Sequence, residues 1–261
     1  MFKIEGINFS YGKDDVLKDI SFEIQKGEFL GIIGPNGSGK TTLLKVLARI
    51  LKPYRGKILL ENEEIYEIPL SEYAKKVAYL PSMIEFSFSY TVEEFVSLGR
   101  FPYTGRYGQL KKSDRDIVEN VLEQFEIGQY RKRKVWELSD GEKQRVFIAQ
   151  VITQQASVII LDEPVSHLDI GHSFKIMDII KEINRSGITV ISVLHELNLA
   201  SEYCTKLLLL NKGSIFSEGT AEEVITYQNI EKVYQTKVLV YKNPHTGKPY
   251  VFGIPAILLT R

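Results

Sequence analysis

The feature that most restricts how this chain can fold is a junction near its start. Phe29-Leu-Gly-Ile-Ile33 is a continuous apolar run. Gly34-Pro-Asn-Gly-Ser-Gly-Lys-Thr41 follows at once, and then the helix-patterned stretch TTLLKVLARIL. An unbroken apolar run of this length suits a strand buried on both faces. Glycines at 34, 37 and 39 let the chain reverse tightly and aim successive N–H groups into an anion-sized nest. A helix is predicted from about Lys40 to Leu51, ending near Pro53, and its N-terminus adds the positive end of a dipole. Strand, glycine turn and helix in this order make a phosphate cradle.

The spacing also fits G-x-x-x-x-G-K-[ST], the P-loop. Its candidate nucleotide ligands are Gly34, Pro35, Asn36, Gly37, Ser38, Gly39, Lys40, Thr41 and Thr42. Lys40 is expected to reach the β- and γ-phosphates of ATP, and the Thr41 hydroxyl to ligate Mg²⁺.

Further along, Val158–Asp162, Ile188–Leu194 and Lys206–Asn211 are apolar runs of strand length, with a helical segment from about His172 to Arg185 among them. That rhythm predicts a mostly parallel sheet covered on both faces. Phe2–Phe9 and Asp19–Gln25 alternate instead, as half-buried strands do, and predict an antiparallel β edge. Helical patterns at Thr91–Leu98, Asp114–Glu126 and Gly141–Gln154 predict an inserted α-helical subdomain. The fold class is therefore α/β, a P-loop NTPase core of mostly parallel sheet with those two additions. One domain is expected over 1–261: an α/β core from 1–81 and 156–215, a helical subdomain at 82–155, and a tail at 216–261.

At 44% hydrophobic and 25% charged residues the chain reads as globular, which excludes a disordered or fibrous protein. Its formal net charge of +0 points to neither nucleic acid nor an anionic membrane surface. The basic run Arg131–Lys134 reads as a solvated helix end. Cys204 is the sole cysteine, so neither an intrachain disulfide nor a thiolate metal cluster can form, and a reducing compartment fits. The opening MFKIEGINFSY has no leader pattern, and no apolar run is long enough to span a bilayer. Any membrane pathway has to come from another chain.

Phosphoryl transfer to water needs a metal holder and a group that activates the nucleophile. Val158-Ile-Ile-Leu161 delivers Asp162 and Glu163 to the C-terminal end of a strand, where open parallel sheets place ligands. Asp162 is the candidate Mg²⁺ support and Glu163 the candidate general base. An acidic pair ending a strand is common by itself; the P-loop in the same chain gives it meaning. His195 closes a neighbouring apolar strand and could face the γ-phosphate opposite Lys40.

Leu138-Ser-Asp-Gly-Glu-Lys-Gln-Arg145, about twenty residues before Asp162, resembles the LSGGQ signature of ABC ATPases. The resemblance extends over nearly the whole chain. It implies that Tyr11 stacks on adenine, and that Ser139, Asp140, Gly141 and Glu142 meet the nucleotide of the opposite subunit. It also implies that Asp169 of Ser166-His-Leu-Asp169 is the D-loop residue at the dimer interface and that His195 is the switch histidine. The implied assembly is a homodimer in the ATP-bound state, bound to integral membrane permease subunits and through them to a substrate-binding protein. Its place is cytoplasmic, peripheral on the inner face of the membrane.

Two departures stand out. Asp140 replaces the second signature glycine and could repel a γ-phosphate, while Glu142 replaces the glutamine. In Val77-Ala-Tyr-Leu-Pro81-Ser82, Ser82 stands where the family has a glutamine that contacts Mg²⁺ or the lytic water. Ser82 is too short for direct contact, although a water could bridge. Slow or partner-dependent hydrolysis is the expectation.

Leu98-Gly-Arg-Phe-Pro-Tyr-Thr-Gly105, Gly108, Ser113-Asp114, Val233-Tyr234 and Pro244-His-Thr-Gly247 resemble importers of the iron–siderophore, haem or cobalamin type. The aromatics Phe86, Phe88, Tyr90, Phe101, Tyr103 and Tyr107 could dock a permease helix or simply pack inside the helical subdomain. His167, His172 and His245 lack partners at metal-ligand spacing. Two alternatives stay open: a soluble ABC ATPase with no permease, and a weakly hydrolysing, nucleotide-gated regulatory subunit.

Overall fold

The computed structural model describes residues 1–84, 89–104, 109–255 and 257. The two alternating segments form β1 (Phe2–Ser10) and β2 (Asp15–Ile24), an antiparallel pair. β3 (Phe29–Ile33) passes through the glycine loop into α1 (Lys40–Leu47). Then come β4 (Arg55–Leu60), β5 (Glu63–Glu64), α2 (Leu70–Lys76) and β6 (Val77–Leu80). The helical part holds α3 (Val92–Ser97), a 3₁₀ turn (Leu98–Tyr103), α4 (Lys112–Gln124) and α5 (Asp140–Thr153). The chain returns through β7 (Val158–Asp162), α6 (Ile170–Arg185), β8 (Thr189–Val193), α7 (Leu197–Tyr203) and β9 (Lys206–Asn211). It ends in β10 (Ser214–Gly219), α8 (Ala221–Val224), α9 (Tyr227–Tyr234) and the hairpin β11 (Val238–Lys242) and β12 (Pro249–Gly253).

The main sheet has the order β10-β9-β3-β8-β7-β6, parallel except for β10. A second, antiparallel sheet has the order β2-β1-β4-β5. The apolar runs are unbroken because each central strand feeds two cores. Phe29 and Ile33 face the core shared with the helical part, and Leu30 and Ile32 face the core under α1 and the antiparallel sheet. Leu207 and Leu209 divide from Leu208 and Leu210 in the same way. A side chain of this kind contributes roughly 1.5–3 kcal/mol when fully buried, so a polar residue on either face would be costly.

Two boundaries differ from expectation. α1 stops at Leu47 because Arg49 takes a left-handed backbone (φ 58°) and sends Nη1 to the Ile68 carbonyl (2.7 Å), its guanidinium over Tyr66 and Tyr73. β10 crosses the predicted start of the tail at 216 to complete the main sheet. The tail also packs inward, with Ile230, Val233 and Val238 in the same core as α6. The alternation in the sequence was too short to reveal β4, β5 and β6.

The helical part is tied together by a buried ion pair. Arg100 Nε donates to Asp114 Oδ1 (2.9 Å), and its Nη1 donates to the Thr153 carbonyl (3.0 Å) and Gln155 Oε1 (3.1 Å). Tyr103 lies 3.9 Å from the guanidinium, and Asp114 Oδ2 accepts the Lys111 N–H. Much of the LGRFPY stretch therefore serves packing. Of the expected aromatic cluster, Tyr103 packs, Tyr90 is half-buried, and Phe101 is 72% exposed. Phe86, Phe88, Gly105, Tyr107 and Gly108 lie outside the described residues.

Candidate nucleotide site

The glycine loop leaves the C-terminal end of β3 at the middle of the main sheet. Gly34 has φ 146°, and a Cβ there would collide with the Leu210 carbonyl and crowd Ser38 Oγ. Gly39, with φ 100°, caps α1 without a side chain, leaving the first N–H groups of that helix open. Pro35, Asn36 and Gly37 form the turn at the mouth, and Ser38 is buried beneath it.

Lys40 bends back over this loop. Its Nζ donates to the carbonyls of Gly34 (2.8 Å) and Pro35 (3.0 Å). Burial pulls its pKa below the usual lysine range, against the opposing pull of Glu163 and Asp162. A phosphate in the nest would act in the same direction as those carboxylates and hold the ammonium charged.

Thr41 Oγ1 donates to Asp162 Oδ1 (3.1 Å) across the gap between α1 and β7. Burial raises the Asp162 carboxyl, Glu163 adds to this, and Thr41, Lys45 and Ser82 oppose it. Its Oδ2 is buried without a hydrogen-bond partner. A hydroxyl and an under-satisfied carboxylate beside a phosphate nest are hard oxygen donors of the kind Mg²⁺ takes along with phosphate and water. The residues fit the ion. No group of three or more His, Cys, Asp or Glu side chains able to hold a metal occurs among the described residues.

Glu163 follows β7 in a left-handed conformation (φ 54°), and its N–H donates to the Val193 carbonyl of β8 (3.2 Å). This turn aims the side chain sideways, so that Oε1 lies 2.6 Å from His195 Nε2. Lys40, Thr41, Glu163 and His195 line one cleft of about 740 Å³. Thr42 lines it too and shares a hydrogen bond with the Tyr11 hydroxyl (3.4 Å). The Tyr11 ring is exposed and braced edge-on by Phe9, a free aromatic face beside the cradle.

The signature residues sit elsewhere. Ser139, Asp140, Gly141 and Glu142 open α5 on the helical part, and none lines the cleft. The Ser139 N–H and Oγ–H both donate to Glu142 Oε2 (2.9 and 2.8 Å). Asp140 is exposed and meets Lys143 Nζ at 3.3 Å, which offsets part of its charge. Asp169 caps α6, where its carboxylate receives the His172 N–H (2.9 Å). Ser82 is exposed, near enough to Asp162 to favour its ionised form.

Tyr234 has no place at the nucleotide site in the sequence reading. Its hydroxyl is buried from the tail side, pushed up to about 12 by that burial, and the Gly34 backbone N–H acts against the shift. The Val233-Tyr234 pair pointed only to a branch of a family, and its place beneath the cradle follows from the folding of the tail.

Comparison with known proteins agrees with this geometry. Residues 17–166 match the family described as ABC transporter. The chain is 35% identical over 246 residues to the iron(3+)-hydroxamate import ATP-binding protein FhuC of Bacillus subtilis, covering 94% of this chain and 91% of that one. It is 38% identical over 251 residues to the ABC transporter ATP-binding protein YvrA of Bacillus subtilis, covering 95% of this chain but spanning only 57% of that relative's length. Among solved structures, a metal-chelate type ABC transporter in an inward-facing conformation aligns with TM-score 0.86 at 24% identity, over 98% of each chain. The dimeric ATP-binding cassette MJ0796 bound to ADP and Pi aligns with TM-score 0.74 at 28% identity, over 84% of this chain and 98% of that one. A cradle, a carboxylate pair and a separate signature helix, on this fold and with these relatives, place the chain in the ABC transporter family as an ATP-binding subunit.

Proposed function

We propose that this chain binds and hydrolyses ATP as one half of a nucleotide-sandwich homodimer. In this reading it drives an importer of the iron–siderophore, haem or cobalamin type through a separate membrane permease. One observation carries the proposal: a single cleft gathers Lys40, Thr41 and the Glu163–His195 pair, with Asp162 buried behind Thr41 and bonded to it, while Ser139–Glu142 open a different helix. A second copy placed head to tail would bring its signature helix N-terminus to the open side of the cleft.

In the bound state the loop N–H groups hold the phosphates, and Lys40 turns from the Gly34 and Pro35 carbonyls to the β- and γ-oxygens. Tyr11 stacks on the base. Mg²⁺, held by Thr41 and by Asp162 directly or through water, would neutralise charge on the β- and γ-phosphates. Glu163 orients a water and takes its proton as the oxygen attacks the γ-phosphorus. The bond to the β–γ bridging oxygen breaks and leaves ADP and phosphate. His195 steadies Glu163 and offers a donor to the γ-phosphate. Closure of the dimer on ATP and its loosening after hydrolysis would rock the permease, because the ligand favours only the closed state.

The cargo class rests on the FhuC likeness and on the LGRFPY stretch. No helix among the described residues is long and apolar enough to cross a membrane, so the pathway belongs to a partner. The cytoplasmic face of the membrane is where such a partner would hold the chain. The helical part carries the exposed Phe101 and a groove in which Tyr90, Leu98 and Leu110 are rimmed by Ser89, Glu93, Glu94 and Ser97, features suited to a permease segment.

The deciding experiment is sedimentation of the Glu163→Gln protein with saturating ATP. A stable dimer that dissociates when ATP is removed is expected, and a protein that stays monomeric overturns the shared site. Co-purification of a membrane permease with the tagged chain tests the transport assignment separately.

A further inference from the structure

We propose that His172 is a positioning residue that fastens the D-loop of each protomer to the start of its own signature helix. The two elements would then meet the opposite protomer's nucleotide as one unit. The inference rests on the shared-site reading and adds to it a residue that neither the sequence motifs nor the cleft identify.

Asp169 and Gly141 belong to different parts of the molecule. Asp169 ends the loop after β7 and caps α6 on the α/β core, whereas Gly141 lies in the first turn of α5 on the helical part. The His172 ring bridges them. Its backbone N–H donates to Asp169 Oδ1 (2.9 Å), and its Nδ1 lies 2.7 Å from Asp169 Oδ2, so both carboxylate oxygens fix this one residue. The other side of the ring rests on the backbone of Gly141. A Cβ at that position would come within 2.6 Å of His172 Cδ2 and 3.1 Å of Nε2. The contact therefore exists because residue 141 is glycine. Both residues also line a cleft of about 410 Å³ between α5 and α6.

The link adds little to folding. Asp169 and His172 are 67% and 53% exposed as side chains, and exposed ion pairs contribute little stability. Its effect lies in preorganisation: two elements that must arrive together at a partner surface lose less freedom when already joined. Without the ring, the signature helix and the D-loop would each have to find its place separately.

The test uses the full chain carrying Glu163→Gln and titrates ATP while sedimentation velocity reports dimer. Adding His172→Ala is expected to weaken ATP-driven dimerisation about tenfold, a change of about 1.4 kcal/mol. Binding of a fluorescent ATP analogue to the monomer should stay within about twofold, and the thermal midpoint without nucleotide within about 2 °C. His172→Asn returns a donor toward Asp169 but no ring to rest on Gly141, and is expected to recover little of the loss. Dimerisation within about twofold of the parent overturns the inference and leaves the shared site standing. So does an Asn variant that dimerises as well as the parent, which would show that the ring's contact with Gly141 is not needed, or a fall in midpoint of more than about 5 °C, which would assign the ring to the fold. A Glu163→Gln parent that never dimerises overturns both readings.

Discussion

Glu163 and His195 close the ends of neighbouring strands with Oε1 and Nε2 2.6 Å apart. The strands are β7 and β8, whose register pairs Asp162 with Val193, so Glu163 leaves the sheet one residue and His195 two residues beyond that last pairing. The left-handed turn at Glu163 carries a backbone strain of order 1 kcal/mol and swings the carboxylate over the cleft. Strain kept at such a point is worthwhile only if the direction of the side chain matters.

On the proposed mechanism, His195→Ala lowers kcat about 10²-fold and leaves the KM for ATP within a few-fold. Glu163→Gln lowers kcat at least as far. The double variant should be no slower than the worse single one, because the two groups act as a unit. Steady-state phosphate release from the assembled transporter measures all three, and additive losses would separate the roles.

Arg100 and Asp114 supply a prediction about the fold. Both side chains are 5% exposed, and Arg100 also satisfies the Thr153 carbonyl at the end of α5. Removing one partner strands the other, so Arg100→Ala and Asp114→Ala should each cost about 3–5 kcal/mol in urea unfolding. Replacing the pair together with Met and Leu should cost less than either single change. ATP binding by the folded fraction should persist, because neither residue lines the cleft.

How much of this was legible beforehand depended on the range of the signal. FLGII, VIILD and KLLLLN coincide residue for residue with β3, β7 and β9, because burial on both faces keeps their interiors continuously apolar. The cradle, the carboxylate pair and His195 were readable since each ends such a strand. Arg49 hid the true end of α1, as its left-handed backbone is held by Ile68, Tyr66 and Tyr73 from distant segments. His172 looked like a stray exposed histidine for a similar reason: Gly141 and Asp169 flank it only after α5 and α6 pack. The tail was the least legible, since Tyr234 reaches the cradle through contacts between segments about two hundred residues apart in the chain.

Glu142 gives a pH dependence with a definite sign. Hydrogen bonds from Tyr130 and from the backbone and side chain of Ser139 hold its carboxyl at about 2, below an ordinary value of 4.5. A depressed folded pKa stabilises the fold fully above the unfolded value, and that contribution fades as pH falls from about 4.5 through about 2. Glu142→Gln removes the ionisation. The gap in thermal midpoint between parent and variant should therefore be constant from pH 7 down to about pH 5 and shrink progressively below that. Paired melts at pH 7 and pH 3 check it, and a gap that widens in acid would show that the hydrogen bonds do not favour the carboxylate.

Ser82 tests how this chain manages without the family's glutamine. Its hydroxyl lies on the exposed side of Asp162, whose Oδ2 is buried with an unmet acceptor. On the family resemblance, a serine there is too short to take the glutamine's place directly, and a water would have to carry the hydrogen bond at some cost in order. Glutamine would place an amide directly at that point, with a donor for the carboxylate and an acceptor for the lytic water. Ser82→Gln should raise the ATP turnover of the assembled complex about fivefold, the worth of one ordinary hydrogen bond of about 1 kcal/mol, at unchanged KM. Turnover that does not move would mean the bridging water already does the amide's work, and the short side chain would then set no limit on the rate.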